Sequence, residues 1–253
     1  MRALAARAAC AKGDVMTLPT KWIADFAALT DARDASLSTF ADGRVLLSYS
    51  NDFGGGDFDP TSHAYTALGV TDYSAAFNGS AILTGRQVSS AIRADGSQVS
   101  VYTHAPIAGG GNLEDVYFVI TDHIANTIIA QTLVLGGAGE QSSPAVAANA
   151  DGAFAIAVSD QNPVPSRLTI KFYNSNGQLI TTVLQANTTT GVADGSTFSS
   201  VSIAARENGD FVVVWRDSSP ADIRGQIFSS SGGAIGAEFN VHVGVADYNP
   251  IVT

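Results

Sequence analysis

Four residues stand eight places beyond four recurring glycines: Asn51, His104, Asp160 and Asp217, after Gly43, Gly96, Gly152 and Gly209. Nine places before the same glycines come Asp34, Gln87, Ser143 and Ser200, and Asn249 takes that slot in a partial fifth unit. Carboxylate and amide oxygens that converge on one point are hard ligands, and calcium takes roughly six to eight of them in loose geometry. Asp34, Asn51, Asp160, Asp217 and Asn249 are therefore the candidate calcium ligands. The same residue types also open turns by bonding their own backbone, so ordinary turn chemistry is the alternative at each position. His104 falls within the set, where an imidazole could act as general base beside a metal-bound substrate. Turn chemistry is the alternative there too.

Other reactive groupings are thin. The chain has no G-x-S-x-G elbow, no H-E-x-x-H zinc pair and no P-loop lysine motif. His242 alternates with Val241 and Val243 on an expected outer strand and should face solvent, while His63 and His123 lie near strand ends with no partner visible. "DFGGGDFD" groups Asp52, Asp57 and Asp59 around three glycines, and "GGAGEQ" at 136–141 approaches the calcium-binding nonapeptide core. Each reads as a flexible loop, with a lone calcium in the first as the alternative.

The elements that must position these residues follow from the glycines. "SLSTFADGRVLLSYS", "SAIRADGSQVSVYTH", "AVAANADGAFAIAVSD" and "VSIAARENGDFVVVWRD" align on Gly43, Gly96, Gly152 and Gly209, at spacings of 53, 56 and 57. Asp-Gly or Asn-Gly between two short apolar runs predicts a two-residue hairpin turn with positive φ. Six residues after each glycine, Tyr49, Tyr102, Val158 and Trp215 fill one slot of the second strand. A third and a fourth strand follow. In "RLTIKFY", Leu168, Ile170 and Phe172 alternate with Arg167, Thr169 and Lys171; in "ADIRGQIF", Ile223, Gly225 and Ile227 share a side, with Phe239, Val241 and Val243 in register on the last strand. Period-2 alternation predicts half-buried strands.

Four antiparallel strands per unit at a fixed period predict an all-β, propeller-like array of four four-stranded blades. The units are about 35–84, 88–139, 144–196 and 201–247, after a helical or disordered leader at 1–19. "YNPIVT" at 248–253 lines up with "SSPAVA" at 142–147 as a partial fifth unit, and "KWIADFAALTDAR" sits where the outer strand of a preceding blade belongs. Either the array is a stretch of a longer one, or the two ends share a fifth blade. An uncovered first or last strand would be an edge prone to self-association. In a propeller, the loops after the second strands and the links between blades gather on the face opposite the Asp-Gly turns, so two polar rings are expected around one mouth of the channel.

"FVVVWRDSSPADIRGQIFSSSGGAIGAEFNVHV" resembles the repeats of large secreted bacterial proteins of the hemolysin-type (RTX) calcium-binding group. The resemblance is clear over 199–243 and fades toward the first unit. It implies an extracellular or cell-surface β-repeat module and no particular chemistry.

Composition narrows the partners. The net charge of −10 and the scattered basic residues lack the footprint that a phosphate backbone requires, so nucleic acid is not expected. No apolar run is long enough for a membrane helix. Cys10 is the single cysteine, which excludes an intrachain disulfide. Two functions of different class follow. One is an extracellular calcium-binding module for adhesion or for a small-molecule or carbohydrate ligand. The other is a calcium-dependent propeller hydrolase of a lactone or ester, similar in architecture to lactonases of the paraoxonase and gluconolactonase type. A glycosidase using two of Asp34, Asp160 and Asp217 is a third and weaker expectation.

Overall fold

The computed structural model describes residues 33–52, 58–77, 83–106, 114–122, 124, 126–137, 139, 141–160, 167–187, 200–218, 221–243 and 250–252. The leader at 1–19, the segment at 20–29, His123, Asn249 and residues 53–57 lie outside them.

The described residues form four four-stranded antiparallel sheets and no helix. Blade 1 contains β1 (Arg33–Thr39), β2 (Val45–Asp52), β3 (Phe58–Tyr65) and β4 (Thr71–Ala76). Blade 2 contains β5 (Leu83–Ile92), β6 (Gln98–Pro106), β7 (Asp115–Thr121) and β8 (Thr127–Leu135). Blade 3 contains β9 (Gln141–Ala148), β10 (Phe154–Asp160), β11 (Arg167–Tyr173) and β12 (Leu179–Val183). Blade 4 contains β13 (Val201–Ala205), β14 (Phe211–Ser218), β15 (Ala221–Phe228) and β16 (Ala234–His242). Each blade is a simple meander, and its first strand is innermost: β1 lies against β5, β5 against β9 and β9 against β13.

The aligned glycines do close the first hairpins, but the loops hold three residues rather than two. Gly43 donates its N–H to Phe40 O at 3.0 Å while Phe40 N–H bonds Arg44 O at 2.9 Å, and the pattern repeats at Gly96, Gly152 and Gly209. Only the glycine takes positive φ, from 79° to 87°, as in a type I turn followed by a bulge. The preceding acid explains the choice of turn. Asp42 Oδ1 accepts from Arg44 N–H at 3.1 Å and Asp95 Oδ1 from Ser97 N–H at 2.9 Å, each satisfying an amide two residues on.

The blades pack through unlike seams. Between blades 2 and 3 the seam is apolar: Val99, Val101, Phe118 and Ile120 meet Phe154, Ile156 and Val158, and Phe154 stacks on Tyr173 at 4.8 Å. Between blades 3 and 4, Ala155 and Ala157 leave the room that Phe211, Val213 and Trp215 fill. The seam between blades 1 and 2 carries hydroxyls instead. Ser48 Oγ lies 2.6 Å from Ser62 Oγ and 2.8 Å from Ser90 Oγ, and Gln98 Nε2 donates to Ser62 and Ser100 at 2.9 and 2.7 Å. Buried polar groups are tolerated when they satisfy one another in this way.

On β11 Leu168, Ile170 and Phe172 are fully buried as the alternation predicts, but Thr169 between them is 1% exposed, leaving only Arg167 and Lys171 half-exposed. Alternation failed on β15. Asp222, Gln226 and Phe228 are buried on one face, whereas Ile223 and Ile227 on the other are half-exposed and only Gly225, under the Phe239 ring, is buried there. On β16, Phe239, Val241 and Val243 are exposed, since an outermost strand has no neighbour to bury them. The described C-terminal residues 250–252 form no strand, but they touch the inner strand of blade 4. Val252 N–H donates to Ser202 Oγ at 3.2 Å, as Ser90 N–H does to Ser36 Oγ and Val146 N–H to Ser89 Oγ, both at 3.4 Å.

Candidate functional site

The slot nine places before the turn glycine is a distinct station in three blades. Asp34, Gln87 and Ser143 have φ of 54°, 52° and 51°, the non-glycine residues with positive φ among those described. Each sits at an irregularity of its inner strand, where the pairing shifts register. A bulge of this kind turns one residue out of the ladder and re-aims it. The side chains then link blade to blade: Asp34 Oδ2 accepts from Gln87 N–H at 3.3 Å, and Gln87 Oε1 accepts from Ser143 N–H at 2.6 Å. Ser200 in blade 4 does not share the positive φ. Asp34 is exposed, and Gln87 and Ser143 are partly so.

The residues eight places after the glycines are engaged within their own blades. His104 Nδ1 lies 2.9 Å from Gln131 Nε2. Asp160 accepts from Arg167 Nε at 2.8 Å, and Gln141 Nε2 stands 3.5 Å from its other oxygen. Asp217 lies 3.5 Å from Arg224, which also reaches Asp222 and Glu238. Asn51 is half-buried at the end of β2. The structure thus does not gather Asn51, His104, Asp160 and Asp217 around one point. Among the described residues no three His, Cys, Asp or Glu side chains stand close enough to hold a metal. Asp160 and Asp217 face the guanidinium groups of Arg167 and Arg224, and Asn249 lies outside the described residues.

Burial pushes His104 below the usual imidazole range, with the charge of Asp115 acting in the opposite sense. Burial pushes the Tyr102 phenol well above its usual range. His63, which showed no partner in the sequence, bonds Tyr49 OH through Nε2 at 2.9 Å, and the Tyr49 phenol is pushed up to about 12 by burial. His242 is exposed.

Arg86 was not among the sequence candidates, and Tyr102 was read only as the occupant of a strand slot. Arg86, adjacent to Gln87, lays its guanidinium over the Phe58 ring at 4.6 Å. Tyr102 is fully buried beside His104, with ring centroids 6.2 Å apart. The available signal was the position of Arg86 next to a ring slot.

On the turn face, a depression of about 470 Å³ is lined by Phe40, Arg44, Ile92, Arg93 and Asn149 among others. Its arginines are already committed: Arg44 to Asp42 and Asp72, and Arg93 to Ser97, Gly152 O and Ser175 O.

No protein-family model matches the chain, and no curated protein resembles it closely enough to match. Among solved structures it is similar to a protein of unknown function from Dyadobacter fermentans, with a TM-score of 0.54 at 11% identity over 83% of this chain and 68% of that one. It is also similar to an exo-beta-1,3-galactanase from Clostridium thermocellum, with a TM-score of 0.52 at 10% identity over 83% of this chain. The match spans 48% of the galactanase chain. At such identity the likeness is one of fold, and with four meander sheets arranged by their first strands that fold is a β-propeller.

Proposed function

We propose that the chain is the propeller of a carbohydrate-acting hydrolase and takes its sugar at the channel mouth formed by Asp34, Gln87 and Ser143. The observation that carries this reading is the shared positive φ of those three residues at one station of consecutive blades. Backbone held in that region costs about 1–3 kcal/mol per residue, and such strain gathers at ligand sites. A carboxylate, an amide and a hydroxyl are also the groups that exchange hydrogen bonds with sugar hydroxyls. Asp34 is the exposed carboxylate of the set, and on this reading it accepts the proton of the attacking water. The galactanase likeness adds support, because that protein's name puts it on a β-1,3-linked galactan.

A second reading, binding without turnover, is favoured by one specific count. Glycosidic hydrolysis commonly uses two carboxyl groups roughly 5–9.5 Å apart, whereas the three ring residues supply one, Asp34. One experiment separates the readings: a panel of aryl glycosides, β-linked oligosaccharides, esters and lactones assayed for turnover, with calorimetric binding in parallel. Sugar turnover that Asp34→Ala abolishes supports the hydrolase. Saturable sugar binding without turnover, weakened in Asp34→Ala, supports the second reading. Neither turnover nor binding of any sugar refutes the assignment of the mouth.

A further inference from the structure

Blade 1 has a buried apolar face with no second blade against it among the described residues. Its strands send alternate side chains to opposite sides. Phe40, Leu46 and Ala64 turn toward blade 2, where they pack with Ile92, and Ser48 on the same side lies 2.8 Å from Ser90 Oγ. Val45, Leu47, Tyr49 and Tyr65 turn the other way, with Val45 paired to Tyr65 and Leu47 to His63 across β2 and β3. The clusters at the seams on either side of blade 3 each draw on two blades, Val101 with Ile156 and Ala157 with Val213. This one draws on blade 1 alone.

The face is nonetheless shielded from water. Val45, Leu47, Tyr49 and Tyr65 are 5%, 2%, 3% and 8% exposed, and His63 stacks between the two tyrosines, with centroids 5.6 Å from Tyr49 and 6.2 Å from Tyr65. Chain connectivity narrows what covers it. Residues 53–57 close the β2–β3 hairpin at the Asp52 end, whereas Val45 and Tyr65 pair at the other end, about 13 Å from Tyr49. Residues 244–249 lead to Val252, which rests on inner strand β13; Tyr65 lies on a third strand, about 10 Å farther from the axis. The remaining internal stretches close hairpins in blades 2 to 4 or join one blade to the next. The chain ahead of Arg33 has both the length and the side chains. "KWIADFAAL" supplies Trp22, Ile23, Phe26 and Leu29, and the stretch from Thr20 to Arg33 can span about 43 Å.

We propose that residues 20–29 dock on this face of blade 1, laying Trp22, Ile23 and Phe26 over Val45, Leu47 and the stack of Tyr49, His63 and Tyr65. In the repeat register that stretch falls at the outer strand of a preceding blade, the side onto which this face looks. An apolar segment on an apolar face removes both from water. The segment is tethered to blade 1 through Arg33, immediately before the mouth carboxylate Asp34. Docking it costs only the closure of a short loop, whereas a second copy would have to be recruited from solution.

Tryptophan fluorescence and hydrogen exchange on the whole chain test this. Trp22 and Trp215 are its two tryptophans, and Trp215 is fully buried. In the unaltered chain acrylamide should reach neither, and a freely quenched fraction overturns the docking without any variant. Trp215→Phe leaves Trp22 as the reporter, whose emission is expected to be blue-shifted and shielded, with both properties lost in urea. Ile23→Asp combined with Phe26→Asp should speed amide exchange in β2 and β3 by about tenfold or more while β10 and β14 keep their rates. Exchange in β2 and β3 that the two aspartates leave unchanged overturns the proposal. Shielding of Trp22 that appears only as concentration rises, with a doubled mass by light scattering, assigns the face to a second copy and overturns it as well.

Discussion

The positive φ of Gln87 makes a prediction whose sign, rather than size, is decisive. In an ordinary strand, alanine is more stable than glycine by about 0.5–1 kcal/mol, because glycine loses more backbone freedom on folding. At Gln87 the backbone is held at φ 52°, where a Cβ costs about 1–2 kcal/mol. Both Gln87→Ala and Gln87→Gly lose the acceptor that Ser143 N–H meets at 2.6 Å, so that loss cancels between them. Subtracting the midpoint of the entropic term from that of the steric one leaves glycine ahead of alanine by about 0.75 kcal/mol, or roughly 1.5–3 °C in Tm for a chain of this size. Thr132, exposed on outer strand β8, supplies the control, since alanine should exceed glycine there. Urea unfolding of the four variants measures both differences. Alanine equal to or above glycine at Gln87 would refute the strain and, with it, the support that the ring geometry lends to a ligand site.

Further outcomes follow from the seams and the buried histidine. Trp215→Ala empties the space against Ala155 and Ala157 and should cost about 3–5 kcal/mol; thermal unfolding reads it. Gln98→Leu withdraws a partner from Ser62, Ser100 and Tyr73 and should cost about 1–3 kcal/mol, with hydrogen exchange accelerated in blades 1 and 2 before blades 3 and 4. Because His104 is pushed down by burial, the unfolded chain binds the extra proton first. Its contribution is complete above the unfolded value of about 6.5 and is lost as pH falls below it. A Tm that declines between pH 7 and 5, less steeply in His104→Gln, is expected. Asp160→Asn should lower Tm equally in calcium and in chelator, since its partner is Arg167; a larger loss in calcium would restore a metal at that station.

The blades were legible because their punctuation is local. An Asp or Asn followed by glycine closes a hairpin through its own neighbours, and the spacing of Gly43, Gly96, Gly152 and Gly209 carries the whole meander. Turn length was less legible, because two- and three-residue loops draw on the same Asp-Gly pair. The buried face of β15 was not legible: Asp222 and Arg224 look solvent-bound until Asp217 and Glu238 are brought to Arg224, and Gln226 until its amide meets Ile235 O and Gly236 O. For the site, the slot of Asp34, Gln87 and Ser143 could be found by alignment, but its left-handed backbone could not, since neither glutamine nor serine advertises that conformation. Asp160 and Asp217 each pair with an arginine seven residues on, Arg167 and Arg224; the common offset stood in the sequence, but only the hairpin of second and third strands shows that it closes an ion pair.

The contacts between inner strands have a mechanical consequence. Where β1 meets β5 and β5 meets β9, amides rest on the single oxygens of Ser36 and Ser89, and Val252 rests on Ser202 in the same manner. Strands within a blade are stitched by a full ladder, whereas neighbouring blades are pinned near the axis by isolated side-chain atoms that can pivot. Near the axis the blades therefore share few hydrogen bonds, and it is the buried seams farther out, such as Phe118 against Phe154 and the alanines of blade 3 against Trp215, that hold one leaf to the next.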